Sequence, residues 1–160
     1  MMAAERENFD DQPSQVVNNY NEFKTPTFAE VYSNEGGQVA LQSLDYKGVS
    51  VQPGKIEGKV IYANDSKLAS DKVVFVFAKV EFSEVKFWHY LTPASSVVVL
   101  FHLKNGGYYW EELKESVSGP RQVVFHGSPV REIQFRCNNM SSFFVLDNFE
   151  LNQVSPPGPN

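Results

Sequence analysis

Apolar and polar positions alternate with period two over much of the chain, as in strands with one face buried. Residues 82–91 set Val85, Phe87 and His89 on one face and Glu84, Lys86, Trp88 and Tyr90 on the other. Residues 130–137 repeat the pattern, with Ile133, Phe135 and Cys137 inward and Glu132, Gln134 and Arg136 outward. Two runs, 72–80 and 96–103, are apolar on both faces, as expected of strands in the middle of a sandwich. Asn105-Gly106-Gly107 is the strongest hairpin signal and joins 96–103 to a strand at 108–113. Gly119-Pro120 and Gly127-Ser128-Pro129 predict further turns, and Pro53 and Gly54 make 51–58 a turn-rich connection. Shorter strands are expected at 39–44, 56–62 and 121–125, and the uneven spacing of Tyr20, Phe23, Phe28 and Tyr32 suits a strand-loop-strand path. Roughly nine to eleven short strands result, and helical periodicity never exceeds about one turn. The pattern predicts an all-β chain, a jelly-roll β-sandwich of two antiparallel sheets.

The segment 141–154 closes the chain as one long strand, and it holds an anomaly. Val145 and Asp147 share one face with Phe143, while Phe144, Leu146 and Asn148 take the other. An acid therefore occupies a position where the pattern calls for a core residue. The expected organisation is a flexible segment over 1–8, a single domain over 9–154 and a Pro-rich flexible tail over 155–160.

Composition narrows the function classes. The chain has 13 Phe but 2 Trp, a bias that suits pleated, half-buried surfaces. The net charge is −5 and no basic stripe occurs, which argues against a nucleic-acid partner. Cys137 is the single cysteine, so no internal disulfide or cysteine metal site forms. No apolar run is long enough for a membrane span. The first residues lack a charged start followed by an apolar stretch; the expected location is extracellular, with the signal peptide absent from this sequence, and cytoplasmic as the alternative. Two glycosylation sequons, at Asn64 and Asn139, are about what chance supplies in a chain rich in Asn and Ser.

Three stretches carry a family resemblance. Phe9-Asp10-Asp11, then Tyr20 to Phe23 and Phe28 to Tyr32, resemble the opening of galactose-binding-domain-like proteins. Phe82 to Trp88, followed by 97–106, resembles their central strand and Asn-Gly hairpin. Phe144-Val145-Leu146-Asp147-Asn148 resembles their final strand. The sequence departs from the pattern at Glu22, where Gly is usual, and at Pro26, near where Trp is usual. The resemblance implies a jelly roll of the carbohydrate-binding-module type, mostly non-catalytic. It also implies one structural calcium where an acid near the first strand meets an acid on the last.

Asp10, Asp11 and Asp147 are the candidate calcium ligands, since calcium takes six to eight oxygens, largely carboxylates and carbonyls. The competing expectation is that Asp147 accepts backbone hydrogen bonds while Asp10 and Asp11 are solvated. Trp88, Tyr90, Tyr108 and Trp110 are the candidate ligand-binding aromatics, because sugar rings present apolar C–H faces that stack on exposed aromatic side chains. Packing in the core is their competing role. His89, His102 and His126 lack metal-like spacing and are expected as satisfied, semi-buried side chains. No nucleophile elbow and no phosphate loop occurs, and nothing picks a catalytic pair from Glu81, Glu84, Glu111 and Glu112, so no enzyme is expected. The expected function is a non-catalytic module that binds carbohydrate or a cell-surface glycan. The alternative is a protein-interaction module on the same fold, such as a secreted effector, assembly factor or surface structural protein.

Overall fold

The computed structural model describes residues 2–18, 20–34, 37–43, 52–63, 73–91, 96–113, 119–137 and 144–154. Phe143, both sequons and the 155–160 tail lie outside the described residues. Ten strands run through the described residues: β1 (Met2–Glu7), β2 (Gln15–Asn18), β3 (Phe28–Ser33), β4 (Gln38–Ser43), β5 (Lys59–Ala63), β6 (Val73–Leu91), β7 (Val97–Leu103), β8 (Tyr108–Glu112), β9 (Arg121–Cys137) and β10 (Phe144–Val154). All the pairings are antiparallel, in the order β2-β4-β5-β10-β6-β9-β7-β8, with β1 added to β10 and β3 to β6.

Two strands are long enough to serve both layers of the sandwich. β6 has 19 residues and β9 has 17, and their mutual register shifts around Phe82. Such irregularities bend a strand and increase its twist. The first half of β6 and the second half of β9 make one layer, β3-β6-β9-β7-β8. Their other halves join β10, β5, β4 and β2 in the second layer. The two antiparallel sheets expected from the sequence are thus the two layers of one continuous ladder. Gly127-Ser128-Pro129, expected as a turn, is the bend inside β9 instead. Gly and Pro weaken a strand interior without ending it when they sit at a bulge.

Phenylalanine fills the space between the layers. Phe28 of β3 meets Phe149 of β10 edge-on at 5.1 Å, Phe149 stacks on Phe87 of β6 at 5.1 Å, and Phe87 meets Phe135 of β9 at 5.5 Å. Phe101 of β7 stacks on Phe125 of β9 at 4.6 Å at the other end. Phe28–Phe149, Phe87–Phe135 and Phe101–Phe125 join facing layers, so each of these contacts clamps the sandwich, while Phe149–Phe87 ties neighbouring strands of the second layer. Offset and edge-on pairs add about 0.5–1.5 kcal/mol each beyond the area buried.

The first residues depart from the expected flexible segment. Met2–Glu7 forms β1, with Glu7 opposite Phe149 and Met2 opposite Val154. Nothing in a short polar sequence signals a strand; the free edge of β10 supplies the hydrogen bonds that local propensity does not. The chain then turns at Phe9, whose positive φ of 64° lets its ring enter the core against Phe28 and Phe149.

Candidate functional site

The outer face of the first layer is built by cross-strand register. Tyr32 (β3), Phe75 (β6), Gln134 (β9), Leu100 (β7) and Trp110 (β8) lie opposite one another in one row. Phe77, Glu132, His102 and Tyr108 form the next row. On each of β6, β9 and β7 the residues between these point into the core, so the rows share the outer face. Tyr108 and Trp110 are about 60% exposed, at 59% and 61%. At the opposite edge Tyr32 stacks on Phe75 at 4.8 Å, and Tyr20 sits 6.2 Å from Tyr32. Five strands spaced about 4.8 Å apart set Tyr32 and Trp110 roughly 19 Å from each other.

A polar network occupies the middle of this face. The Gln134 carbonyl accepts from Arg136 Nε at 3.1 Å and Nη2 at 3.0 Å. Its amide nitrogen donates to Glu132 Oε2 at 2.6 Å and lies 2.7 Å from His102 Nε2. His102 in turn meets Tyr108 edge-on at 4.5 Å. Fixed donors and acceptors therefore stand between two aromatic margins. Such a face suits a flat ligand with apolar sides and a hydroxylated rim. His102 is half-buried and partnered, as expected of it; its place on the outer face is set by β7–β9 pairing.

Trp88 and Tyr90 do not join Tyr108 and Trp110. They lie on the outer face of the second layer, half-buried against Ala40, Ile56, Val60, Tyr62 and Val145. Residues 52–58 cross over this face. Ile56 is fully buried in it, and the Lys55 ammonium sits 4.9 Å from the centre of the Trp88 ring. The four aromatics singled out by sequence are thus divided between opposite sides of the sandwich. Tyr20, Tyr32, Phe75 and Phe77 were not among the candidate ligand-binding aromatics. For Phe75 and Phe77 the signal was the doubly apolar run 72–80, whose outward residues needed either a cover or a ligand.

The acidic residues converge in part. Asp147 is fully buried on β10, beneath residues 52–58. Its Oδ2 accepts the Glu57 N–H at 2.9 Å, and the neighbouring Asn148 amide donates to the Lys55 carbonyl at 2.7 Å. Asp147 Oδ1 has no hydrogen-bond partner among the described residues. Burial pushes the Asp147 pKa up to about 8; backbone N–H groups of Glu57 and Asn148 pull the other way, and the charges of Asp10 and Glu57 add to the rise. Asp10 accepts the Lys59 N–H at 2.9 Å, and Lys59 Nζ donates to the Gln12 carbonyl. Asp10 and Asp147 thus grip the same loop from the two ends of the chain. Gly58 between them has φ +63°, and a Cβ there would collide with the Asp10 carboxylate. Asp11 is exposed.

The remaining titratable groups have structural neighbours. His89 is buried in the core; burial, and secondarily the charge of Arg121, lowers its pKa to about 4. Glu84 accepts from Asn152 at 2.6 Å and pairs with Lys86, and Glu111 accepts from the Tyr109 hydroxyl at 2.9 Å. That last bond pushes the Tyr109 pKa up. His126 is exposed and Cys137 is buried.

No family model matches the sequence, and no curated protein matches it. Solved structures share the architecture. A family 29 carbohydrate-binding module superposes with a TM-score of 0.51 at 11% identity, over 89% of this chain and 91% of that one. A family 29 variant complexed with cellulohexaose gives 0.51 at 11% identity, over 91% and 95%. A second variant gives 0.50 at 11% identity, over 89% and 93%. The chain has the jelly-roll fold of these carbohydrate-binding modules.

Proposed function

We propose that this chain is a non-catalytic carbohydrate-binding module whose ligand lies across the outer face of the first layer. One observation carries the proposal: Tyr32 and Trp110 flank the Glu132–Gln134–Arg136–His102 network on a single face. A linear glycan would stack rings on the two aromatic margins and offer its hydroxyls to the network between them. The module would then act outside the cell or at its surface. Affinity electrophoresis against a panel of soluble polysaccharides, followed by calorimetry with cellulohexaose and other oligosaccharides, tests this. Retardation by at least one polysaccharide, lost in Trp110→Ala, is expected; no retardation by any member overturns it.

A second reading is a protein-interaction module. It is favoured by the position of Tyr108, Tyr109 and Trp110 on β8, the last strand of its layer, where a partner strand could add. A protein partner that competes with no oligosaccharide would favour it.

The proposal extends to one structural calcium. The orphaned Asp147 Oδ1 and the nearby Asp10 carboxylate suit a cation, which would displace the Asp147 proton and compensate the charge left beside Asp10. Asp10 and Asp147 would be its side-chain ligands, with Asp11 exposed beside them. Among the described residues no group of three or more acid, His or Cys side chains assembles for a metal, so the remaining oxygens would be backbone carbonyls and water.

A further inference from the structure

Where β6 and β9 bend from one layer to the other, the ladder opens into a hollow of about 540 Å³. Lys79, Lys104 and Arg131 line it, and Glu81 is the single carboxylate among its lining residues. Lys104 pairs with Glu81 at 3.4 Å. Lys79 and Arg131 have no carboxylate partner among the described residues. Arg131 Nε donates to the Ala78 carbonyl at 2.9 Å, which steadies the guanidinium and leaves its two terminal nitrogens free to form a fork. The Lys104 backbone is held in turn by the Pro129 carbonyl at 2.8 Å. Three cations therefore converge on one concavity of a chain whose net charge is −5.

The hollow is continuous with the platform. A neighbouring depression of about 280 Å³ shares Glu81, Lys104 and Arg131 with it and reaches Phe77, His102 and Glu132 on the outer face. We infer that the hollow binds an anionic substituent, the carboxylate of a uronic acid or a sulfate ester, carried by a glycan that lies on the platform. Lys79 and Lys104 supply charge, and Arg131 supplies paired N–H donors that match two oxygens of the anion. The inference deepens the proposed function and depends on it only for the rest of the ligand; the hollow itself is judged separately by small anions.

Three hexasaccharides on one backbone test it: cellulohexaose, the same chain oxidised at C6 to uronic acids, and the same chain sulfated at O6. At low ionic strength the charged forms should bind about tenfold tighter than the neutral one, and the gap should narrow with salt. The exposed pair Lys79→Ala/Lys104→Ala should cut the preference severalfold, leaving only the share that Arg131 holds, with neutral binding unchanged. The relative size of the carboxylate and sulfate effects identifies the group. Equal binding of neutral and charged forms, or a preference that the double substitution leaves undiminished, overturns the inference. If no hexasaccharide binds, the platform proposal falls on that backbone, and glucuronate and inorganic sulfate titrated by NMR decide the hollow. Saturable shifts at Lys79, Lys104 and Arg131 uphold it, and their absence overturns it.

Discussion

Asp147 of β10 accepts the backbone N–H of Glu57, 90 positions earlier in the chain, at 2.9 Å. This one bond joins the last strand to the segment that covers the outer face of the second layer. Burial of Asp147 beneath that segment, which outweighs the bond's own pull on the proton, makes the protein's stability depend on pH.

In the folded chain Asp147 keeps its proton up to about pH 8, whereas the unfolded group ionises near 3.8. Between those values the folded state binds the extra proton, so stability falls as pH rises, by at most about 1.4 kcal/mol per pH unit. His89 acts oppositely between about 4 and its ordinary 6.5, because there the unfolded state binds the extra proton. The two slopes oppose each other below 6.5, and of the two only Asp147 acts above it. Urea midpoints should therefore fall from pH 6.5 to 8 in the wild type and stay level in Asp147→Asn, which keeps an acceptor for Glu57. A bound calcium reverses the wild-type result by holding Asp147 ionised. Millimolar calcium should then raise Tm most at pH 8, with the gain lost in chelator and in Asp147→Asn.

Gly58→Ala should destabilise the fold by about 2–4 kcal/mol, since the residue would meet both an unfavourable positive φ and the Asp10 carboxylate. Adding Asp10→Ala should recover the steric share and leave the backbone share. Denaturant midpoints of the single and double variants separate the two, and a double variant no better than Gly58→Ala would mean that Asp10 is not the obstruction.

Trp110→Ala and Tyr32→Ala should each weaken glycan binding about tenfold or more with little change in Tm, because Trp110 is exposed and Tyr32 half-exposed at the platform margins. Trp88→Ala should do the reverse. It strips a half-buried ring from the Val145 cluster and removes the seat of Lys55, at a cost of about 2–3 kcal/mol in stability. Calorimetry alongside thermal melts checks both halves; a Trp88 variant with normal Tm and lost affinity would move the ligand to the other face.

Phe149→Ala should be among the most damaging single changes in the core, about 3–5 kcal/mol. Its ring touches Phe9, Phe28 and Phe87, which belong to three different segments. Phe149→Leu should recover much of the loss, as measured by chemical denaturation.

Much of this fold was legible along the chain. Period-two alternation identified the inward faces of β6 and β9, and Asn105-Gly106 announced the hairpin between β7 and β8. The placement of Asp10 and Asp147 around one loop agrees with the family-like ends of the sequence. β1 was not legible, because a polar segment becomes a strand only when another strand's edge is offered to it.

Sequence by itself determined the inward and outward residues wherever the pleat runs unbroken, since side-chain direction follows from it; at the irregularity between Asp147 and Glu150 the alternation slips, and Phe149 joins Leu146 in the core. Trp88 and Trp110 look alike at that level: each is an outward aromatic among charged neighbours. Only the tertiary structure separated them, by laying residues 52–58 over Trp88 and leaving Trp110 open. Exposure depends on what crosses a face from elsewhere in the chain, and here that crossing is held by Asp147 and Asn148, far from the loop in sequence.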